Sequence, residues 1–323
     1  MDQILIFLIV IFILELIYFK IADKYNIIDH PNHRSSHTKI TIRGGGIIFP
    51  VALLASCFYF GSPYMYFLIG LLLISAISFI DDIEPVSNRI RTVFHLIAVT
   101  LLFYQLSLYG LQFHWIFLGF IFVIGTINAI NFMDGINGIT GGFGFISALT
   151  LIYINKYVAF TDERYLISLV IALTVFNFFN FRKKAKCFAG DVGSVSLGFI
   201  LLFFLLQLII KTNNFNYLLL FIVYGLDTST TILFRLIKKE NIFKAHRQHF
   251  YQFLANEKKI SHLVVAALYT IIQAVINISL IIFSLTTFKS LAILGVISLL
   301  IFILIRIYFE GYTRLFKVNN NTL

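Results

Sequence analysis

The 323-residue chain has few charged residues: Asp, Glu, Lys and Arg make up 12% of it, whereas about 25% is usual in a soluble domain. Its two cysteines, Cys57 and Cys187, are too few and too far apart to indicate a disulfide framework or a zinc site. Hydrophobic residues, by contrast, make up 59% of the chain, and the mean hydropathy is +0.91. A soluble globular protein is therefore excluded.

The chain also lacks internal repeats and low-complexity linkers, so a single membrane domain over residues 1–323 accounts for all of it. Its first apolar segment does not have the pattern of a cleavable signal peptide, because no Lys or Arg precedes it and no A-x-A site follows it. We expect this segment to stay in the protein as its first membrane span.

Long apolar runs recur along the chain, and each is long enough to cross a bilayer as a helix of about 17–20 residues. A helix satisfies its own backbone hydrogen bonds, which lipid cannot do. The sequence therefore predicts an all-α, polytopic membrane bundle. We predict eleven spans, at about residues 3–19, 46–60, 64–80, 92–108, 115–131, 139–155, 164–180, 193–210, 217–236, 263–283 and 290–309.

The distribution of Lys and Arg predicts how the bundle is oriented. If the N-terminus is outside, 21 of the 25 basic residues fall on the cytoplasmic side, as the positive-inside rule requires. The net charge of +10 is then a topology signal and a source of contact with anionic lipid headgroups. Nucleic-acid binding is not predicted, because the basic residues are divided among five separate segments. We expect the N-terminus outside and the C-terminus in the cytoplasm.

Carboxylates collect at predicted cytoplasmic helix ends. Asp81 and Asp82 end the third span, Asp134 follows the fifth, and Asp191 opens the eighth. Each position alone has an ordinary explanation, such as Asp191 as a helix N-cap, or Asp81 and Asp82 paired with Arg89 or Arg91 in solvent. Three such sites at one depth, beside basic loops, favour instead a shared site for a polyanion and a divalent cation. Mg²⁺ suits such a site, since it is usually held by one or two carboxylates and substrate phosphates.

Five segments, in chain order and at matching helix ends, resemble the polyprenyl-phosphate N-acetylhexosamine-1-phosphate transferases. This superfamily includes the phospho-MurNAc-pentapeptide translocase and the enterobacterial-antigen GlcNAc-1-phosphate transferase. The resemblance covers residues 29 to about 252. The segments are DHPNHRSSHTKITIRGGG (29–46), DD (81–82), NAINFMDGINGITGG (128–142), FFNFRKKAKCFAGDVGSVSLGF (178–199) and DTSTTILFRLIKKENIFKAHRQHFYQ (227–252).

The resemblance implies a bundle of ten or eleven spans in the bacterial inner membrane, with an active site open to the cytoplasm. The implied reaction is attack by a phosphate oxygen of undecaprenyl phosphate on the β-phosphorus of a UDP-N-acetylhexosamine, with UMP as the leaving group. The implied cofactor is Mg²⁺, with Mn²⁺ as an alternative, and homodimers occur in the family. The polar, glycine-rich segment 128–142 is then expected at the nucleotide and phosphate site, where irregular backbone can line a polar cleft.

Residue by residue, the resemblance assigns catalysis to Asp81, Asp82, Asp134 and Asp191. Asp191 matches the family's magnesium ligand, and Asn131 is expected to join it. We favour direct attack, with Asp81 as the orienting base and Asp82 at the lipid phosphate or the metal. Adjacent helical residues point about 100° apart, so the two carboxylates are expected to have different tasks.

The positions expected to contact the substrates match the family's motifs in the same way. They are Arg34, His37, Arg43, Asn128, Asn131, Asn137, Asn180, Phe188, His246, Arg247 and His249. Asn137 would contact uracil, where the family usually has Asp, and Phe188 would stack on the base. His246 and His249 would clamp the diphosphate or the sugar; the alternative is a basic loop that touches lipid headgroups.

Some alternatives remain open at this level. A lipid-linked sugar transporter or flippase is the main rival function, although such proteins place ionisable residues near the midplane of inverted repeats, and no repeat is visible here. The donor sugar is open among GlcNAc, FucNAc and QuiNAc. The motifs look closest to the enzymes that initiate O-antigen or capsule synthesis, and the short 240–262 loop does not predict a peptide-bearing donor. Asp227, inside the ninth span, is expected to be functional, as charges within spans usually are, with hydrogen bonding between spans as the alternative; Glu15 is expected to be a polar contact between helices.

Overall fold

The structure is a computed structural model that describes residues 2–29, 40–242, 244 and 246–317. These residues are almost entirely helical. The helices are α1 (Asp2–Lys24), α2 (Ile48–Phe60), α3 (Met65–Ile83), α4 (Asn88–Gln105), α5 (Phe113–Met133), α6 (Ile139–Val158), α7 (Glu163–Asn180), α8 (Gly190–Thr212), α9 (Ile222–Ile237), α10 (Phe250–Gln252), α11 (His262–Ile282), α12 (Phe288–Glu310) and α13 (Tyr312–Phe316). Two short antiparallel strands, β1 (Ile28–Asp29) and β2 (Thr41–Ile42), pair between α1 and α2.

The all-α, polytopic fold predicted from the sequence is confirmed, and the eleven predicted spans fall on helical segments. The ninth, at 217–236, covers a 3₁₀ helix (Phe215–Phe221) as well as α9, and the fourth runs past the end of α4. The number of spans stays a prediction. Seven stretches in the described part of the chain are long and apolar enough to cross a membrane: α1 (from Gln3), α3, α5, α8, α11, α12, and α9 together with the turn of 3₁₀ helix before it. The helix of residues 45–60 is apolar but shorter. Which side of the membrane each end faces stays a prediction.

Helix α8 lies at the centre of the bundle, with 83% of its most apolar stretch buried, and it packs against α2, α3, α5 and α6. Small residues permit this packing: a Cβ on Gly193 would lie 2.6 Å from the Cα of Gly46. Large rings fill the space deeper down, where Phe67 and Phe203 stack with centroids 3.8 Å apart. The N-terminus of α8 is thereby fixed against the ends of its neighbours.

The segment between β2 and α2 is bonded to the loop that precedes α8. The amides of Gly45 and Gly46 donate to the carbonyls of Phe188 and Ala189, at 2.8 and 3.0 Å. Ile42 forms a parallel bridge with Cys187 beside them. These backbone bonds hold the first loop and the start of α8 as one unit, which is where the polar motifs meet.

Candidate active site

The three carboxylate segments of the sequence converge at one end of the bundle, and two arginines join them. Nη1 of Arg91, in the first turn of α4, lies 2.8 Å from Oδ2 of Asp81, and Nη2 lies 3.3 Å from Oδ2 of Asp191. Nε of Arg43 lies 2.7 Å from Oδ1 of Asp82, and its Nη2 lies 3.8 Å from Oδ1 of Asp191. The ends of α3, α4 and α8 and the loop after β2 therefore form one charged cluster.

Asp82 is the anchor of this cluster. Its side chain has no solvent exposure, and its two oxygens accept bonds from the backbone N–H groups of Asp191, at 2.8 Å, and Val192, at 2.9 Å. The N-cap residue of α8, Ala189, makes no side-chain cap of its own. Asp82 therefore caps α8 from another helix, and the explanation of Asp191 as the N-cap is wrong. Asp191, with its side chain 19% exposed, is the more accessible carboxylate.

The tight fit around Asp82 explains two glycines of the motifs. Gly190 has φ +72°, a backbone conformation that L side chains rarely adopt. A Cβ there would lie 2.5 Å from Oδ2 of Asp82 and 2.8 Å from the Cα of Gly44, which itself has φ +77°. Close approach of the two loops is thus possible only without side chains at these positions.

Arg91 holds one oxygen of Asp81 and one of Asp191, so the two carboxylates are neighbours. Neighbouring carboxylates repel each other unless a proton or a cation compensates their charge. Among the described residues, no three His, Cys, Asp or Glu side chains converge to form a complete metal cage. One or two carboxylates are the usual protein ligands of Mg²⁺ beside substrate phosphates, so this donor set is compatible with that ion.

The polar segment 128–142 forms the end of α5, a tight turn and the start of α6. Oδ1 of Asn131 accepts a bond from the Ser194 hydroxyl, at 2.6 Å, which ties α5 to α8. Asp134 follows the last residue of α5. The pKa of Asp134 is raised to about 6, chiefly by burial and also by the charge of Asp82, while a hydrogen bond with Thr140 and the charge of Arg43 act in the opposite direction. The charges of the cluster therefore act on Asp134 as well.

Asn137 and Asn180 are both buried and brace the loops around the site. Asn137 donates to the carbonyl of Arg182, at 3.0 Å. Asn180 accepts from the amide of Gly138, at 2.7 Å, and donates to the carbonyl of Cys187, at 2.8 Å. In this arrangement both ends of the Asn180 amide bind backbone, so the structure gives it a positioning task; contact of Asn137 with uracil stays a prediction.

The other expected substrate contacts are placed less completely. Phe188 is half-buried, and its amide donates to the carbonyl of Ile42, at 2.8 Å, so its backbone is held just before the start of α8. Asn128 is half-buried on α5, two turns before its end. Arg34 and His37 lie outside the described residues. Base stacking by Phe188 stays a prediction.

Residues 246–252, here named the histidine loop, lie against the end of α5. The rings of His246 and His249 stack with centroids 5.1 Å apart, although residues 246–249 are not helical. Both rings lie within 6.4 Å of the Phe132 ring, measured between centroids. Burial, and then the neighbouring His249 and Arg235, lower the pKa of His246 to about 4, so its ring is neutral at pH 7.

Asp227, whose task the sequence left open, holds this loop. Its oxygens accept bonds from Nδ1 of His249, at 3.2 Å, and from the amides of Phe250, at 3.0 Å, and Tyr251, at 3.2 Å. The hydroxyl of Tyr269 adds a bond of 2.6 Å. The signal in the sequence was a carboxylate inside an apolar span, which needs buried partners.

Two further contacts were missed by reasoning from the sequence. The Tyr251 hydroxyl donates to the carbonyl of Phe132, at 2.9 Å, and so fastens the histidine loop to α5. Gly135 permits this contact, because a Cβ there would lie 2.2 Å from that hydroxyl. The sequence suggests Arg91 only as a solvated partner of the DD motif, whereas it also reaches Asp191. The one indication in the sequence is that Arg91 lies in the first turn of the helix that follows the DD motif.

An apolar cavity of about 300 Å³ opens between α5, α9 and α12. Asp134 follows the end of α5, and Asp227 lies on α9. Its lining includes Thr126, Ala129 and Ser229 and two glycines, Gly225 and Gly295. A Cβ at either glycine would have no atom within 4 Å, so the glycines leave the cavity open. Its position along the spans suits an acyl or prenyl chain.

Comparison with known proteins identifies relatives of the whole arrangement. Residues 64–209 match the model of glycosyl transferase family 4. A probable undecaprenyl-phosphate N-acetylglucosaminyl 1-phosphate transferase of Bacillus subtilis is 27% identical over 269 residues, which cover 76% of this chain and 74% of the relative. An undecaprenyl-phosphate alpha-N-acetylglucosaminyl 1-phosphate transferase of Thermotoga maritima is 28% identical over 71% of this chain and 72% of the relative.

The phospho-N-acetylmuramoyl-pentapeptide-transferase of Dictyoglomus thermophilum is 30% identical over 224 residues, which cover 62% of this chain and 70% of the relative. The matches extend over the segments that carry the cluster of α3, α5 and α8. The family expected from the five motifs is thereby confirmed: the chain belongs to glycosyl transferase family 4, among the membrane-embedded polyprenyl-phosphate sugar-1-phosphate transferases.

Proposed function

We propose that this protein transfers an N-acetylhexosamine 1-phosphate from a UDP-sugar to undecaprenyl phosphate and releases UMP. The observation that carries the proposal is the Asp81–Asp191 pair, which Arg91 bridges and Arg43 flanks at one end of the membrane-spanning bundle. A charged centre at the end of such a bundle suits a reaction between a water-soluble diphosphate and a membrane-bound phosphate.

In the proposed reaction, a phosphate oxygen of undecaprenyl phosphate attacks the β-phosphorus of the UDP-sugar. The new P–O bond forms as the bond from that phosphorus to the bridging oxygen breaks, and UMP leaves with the bridging oxygen. The nucleophile is an anion with a second pKa near ~6, so no strong base is required at neutral pH. Catalysis then consists mainly of alignment and of neutralising the phosphate charge.

The residues divide this work. The side chain of Arg91 is 22% exposed and that of Arg43 is 34% exposed, so both cations can contact the phosphates. Asp81 has one oxygen bonded to the amide of Val86, at 2.6 Å, so its carboxylate is held in one orientation. Asp82 supports the start of α8 and fixes Asp191. The histidine loop lies against the end of α5, the helix that precedes Asp134, and there the neutral His246 would hydrogen-bond the donor.

The site fits Mg²⁺, which Asp191 and Asp81 would hold together with the substrate phosphates; Asn131 is the further oxygen donor predicted from the sequence. When bound, Mg²⁺ neutralises the charge that accumulates on the diphosphate. Mn²⁺ offers the same hard-cation chemistry. The proposal also includes an orientation with this end of the bundle in the cytoplasm of a bacterium, where UDP-sugars are made.

The donor is proposed to be a UDP-N-acetylhexosamine, with GlcNAc as the first candidate, because two of the compared relatives are named for N-acetylglucosaminyl transfer. The product would start the assembly of a cell-envelope polysaccharide such as an O-antigen or a capsule. A homodimer is a further proposal, which rests on the family alone.

The test is an assay of the purified protein with undecaprenyl phosphate, Mg²⁺ and a panel of UDP-sugars. We expect stoichiometric release of UMP and formation of a lipid-linked sugar with at least one N-acetylhexosamine donor. Release of UDP instead of UMP would show transfer of the sugar without its phosphate and would contradict the proposal. Transport of a lipid-linked sugar without any UMP release would support the flippase alternative.

A further inference from the structure

Helix α12 lies on the outside of the bundle, since only 6% of its most apolar stretch is buried. Among its 23 residues, Arg306 is the one that is buried as a whole, with 1% exposure, and the side chain of Glu310 is enclosed beside it. A guanidinium enclosed at this position is costly unless every donor is satisfied. The contacts that satisfy it therefore show what the last long helix contributes to the protein.

Arg306 makes two contacts that lead to the histidine loop. Its Nη2 donates to the backbone carbonyl of Gln248, at 2.9 Å. Its Nη1 donates to the hydroxyl of Thr231, at 2.8 Å, and that hydroxyl donates to Oδ1 of Asp227, at 3.3 Å. Oδ1 is also the atom that lies 3.2 Å from Nδ1 of His249. Both routes end in the segment that carries the stacked histidines.

The remaining donors of Arg306 are held by its own surroundings. Nε pairs with Oε1 of Glu310, at 2.5 Å, and Nη1 also reaches the hydroxyl of Thr230, at 3.0 Å. The guanidinium lies over the Phe234 ring, 5.1 Å from its centroid. A planar fork with five N–H donors can make all of these bonds at once, which a lysine ammonium cannot do.

We infer that Arg306 is a positioning residue, which orders the histidine loop against α5 through the Gln248 carbonyl and the Thr231–Asp227 relay. The expected effect of Arg306 on catalysis rests on the proposed function, whereas its effect on the order of the loop does not. Arg306 contacts no substrate. Its loss releases one end of the loop, and His246 and His249 then leave their places beside Phe132.

The first experiment measures amide hydrogen–deuterium exchange in wild type, in Arg306→Lys and in a double variant. The double variant combines Arg306→Met with Glu310→Gln, so that no buried carboxylate is left without a partner. The control is Arg314→Gln, because Arg314 pairs with the same Glu310 and with Glu257, both outside the histidine loop. We expect exchange over 246–252 to rise about tenfold or more in the double variant, as loss of charge-assisted hydrogen bonds implies. Arg306→Lys should be intermediate, and Arg314→Gln and all α8 peptides should match wild type.

Steady-state kinetics with the UDP-sugar form the second arm. We expect at least a ~10-fold loss of kcat/KM in the double variant and partial recovery in Arg306→Lys. Unchanged exchange over 246–252 in the double variant would overturn the positioning role. An equal rise of exchange in α8 would overturn it too, because such a rise shows general destabilisation. If wild type releases no UMP, the proposed function fails, and the exchange arm still decides whether Arg306 orders the loop.

Discussion

Asp82→Asn is the substitution that most clearly separates the support of the site from its chemistry. The wild-type carboxylate gives one oxygen each to the amides of Asp191 and Val192, and it pairs with Arg43 at 2.7 Å. Asparagine has one oxygen and an NH₂ group, so one buried backbone N–H loses its acceptor. The arginine loses its charged partner at the same time.

The magnitude follows from these two losses. A buried donor without an acceptor costs about 1–3 kcal/mol, and breaking a fully buried ion pair costs about 3–5 kcal/mol. Arg43 is 34% exposed, so water compensates for part of the second loss. We therefore expect Asp82→Asn to destabilise the protein by about 2–4 kcal/mol, together with a large loss of activity as Asp191 shifts.

The assay is thermal unfolding followed with a thiol-reactive fluorescent dye, because Cys57 and Cys187 are both buried and react only on unfolding. Glu84→Gln is the matched control, since Glu84 is exposed two residues further along. Asp191→Asn should melt at or above the wild-type temperature, because it removes one negative charge from the cluster. A wild-type melting temperature for Asp82→Asn would refute its role as the cap of α8.

Three further predictions use other parts of the structure. Cysteine labels placed at 157–162 should react from outside the cell and labels at 183–186 only after permeabilisation; the reverse pattern would contradict the proposed orientation. Gly295→Leu should fill the apolar cavity and raise KM for undecaprenyl phosphate at least ~5-fold, whereas Gly125→Leu, on an exposed face of α5, should not; equal effects would contradict a lipid groove. Because the pKa of His246 is lowered to about 4, its ring is neutral above pH 5, and the activity of His246→Gln should depend on pH between 6 and 8 as that of wild type does. A rise or fall of activity with pH that is present in wild type and absent in the variant would show that protonated His246 acts.

The fold class was predictable because lipid imposes long apolar helices, and the predicted spans therefore fall on helical segments. The 3₁₀ helix Phe215–Phe221 within the ninth span was not predicted. The meeting of Asp81 and Asp191 was also predictable, since both lie at helix ends on one side of the predicted topology. The tasks of these carboxylates were not. Asp82 caps a helix that is 109 residues away in sequence, and no local pattern distinguishes such a cap from a catalytic carboxylate.

The supports of the histidine loop were hidden for the same reason. Asp227 and Arg306 each look like an isolated charge in an apolar span, and they become partners only through Thr231 once α9 and α12 pack together. The three-residue spacing of His246 and His249 would place them on one face if the segment were helical, whereas they meet because Asp227 holds the backbone of a non-helical segment. Reasoning from single motifs identifies the chemistry and misses the scaffold between them.

The most direct test of the central claim is UMP release, measured against Mg²⁺ concentration for wild type and Asp191→Asn. Asparagine keeps the size of the side chain and leaves the Asp82 cap of α8 in place, but it removes the charge and one oxygen that face Asp81. The account predicts a loss of at least ~100-fold in turnover, equal to about 2.7 kcal/mol of barrier, with partial recovery at high Mg²⁺ or Mn²⁺. Near-normal UMP release by Asp191→Asn at ordinary Mg²⁺ would contradict it.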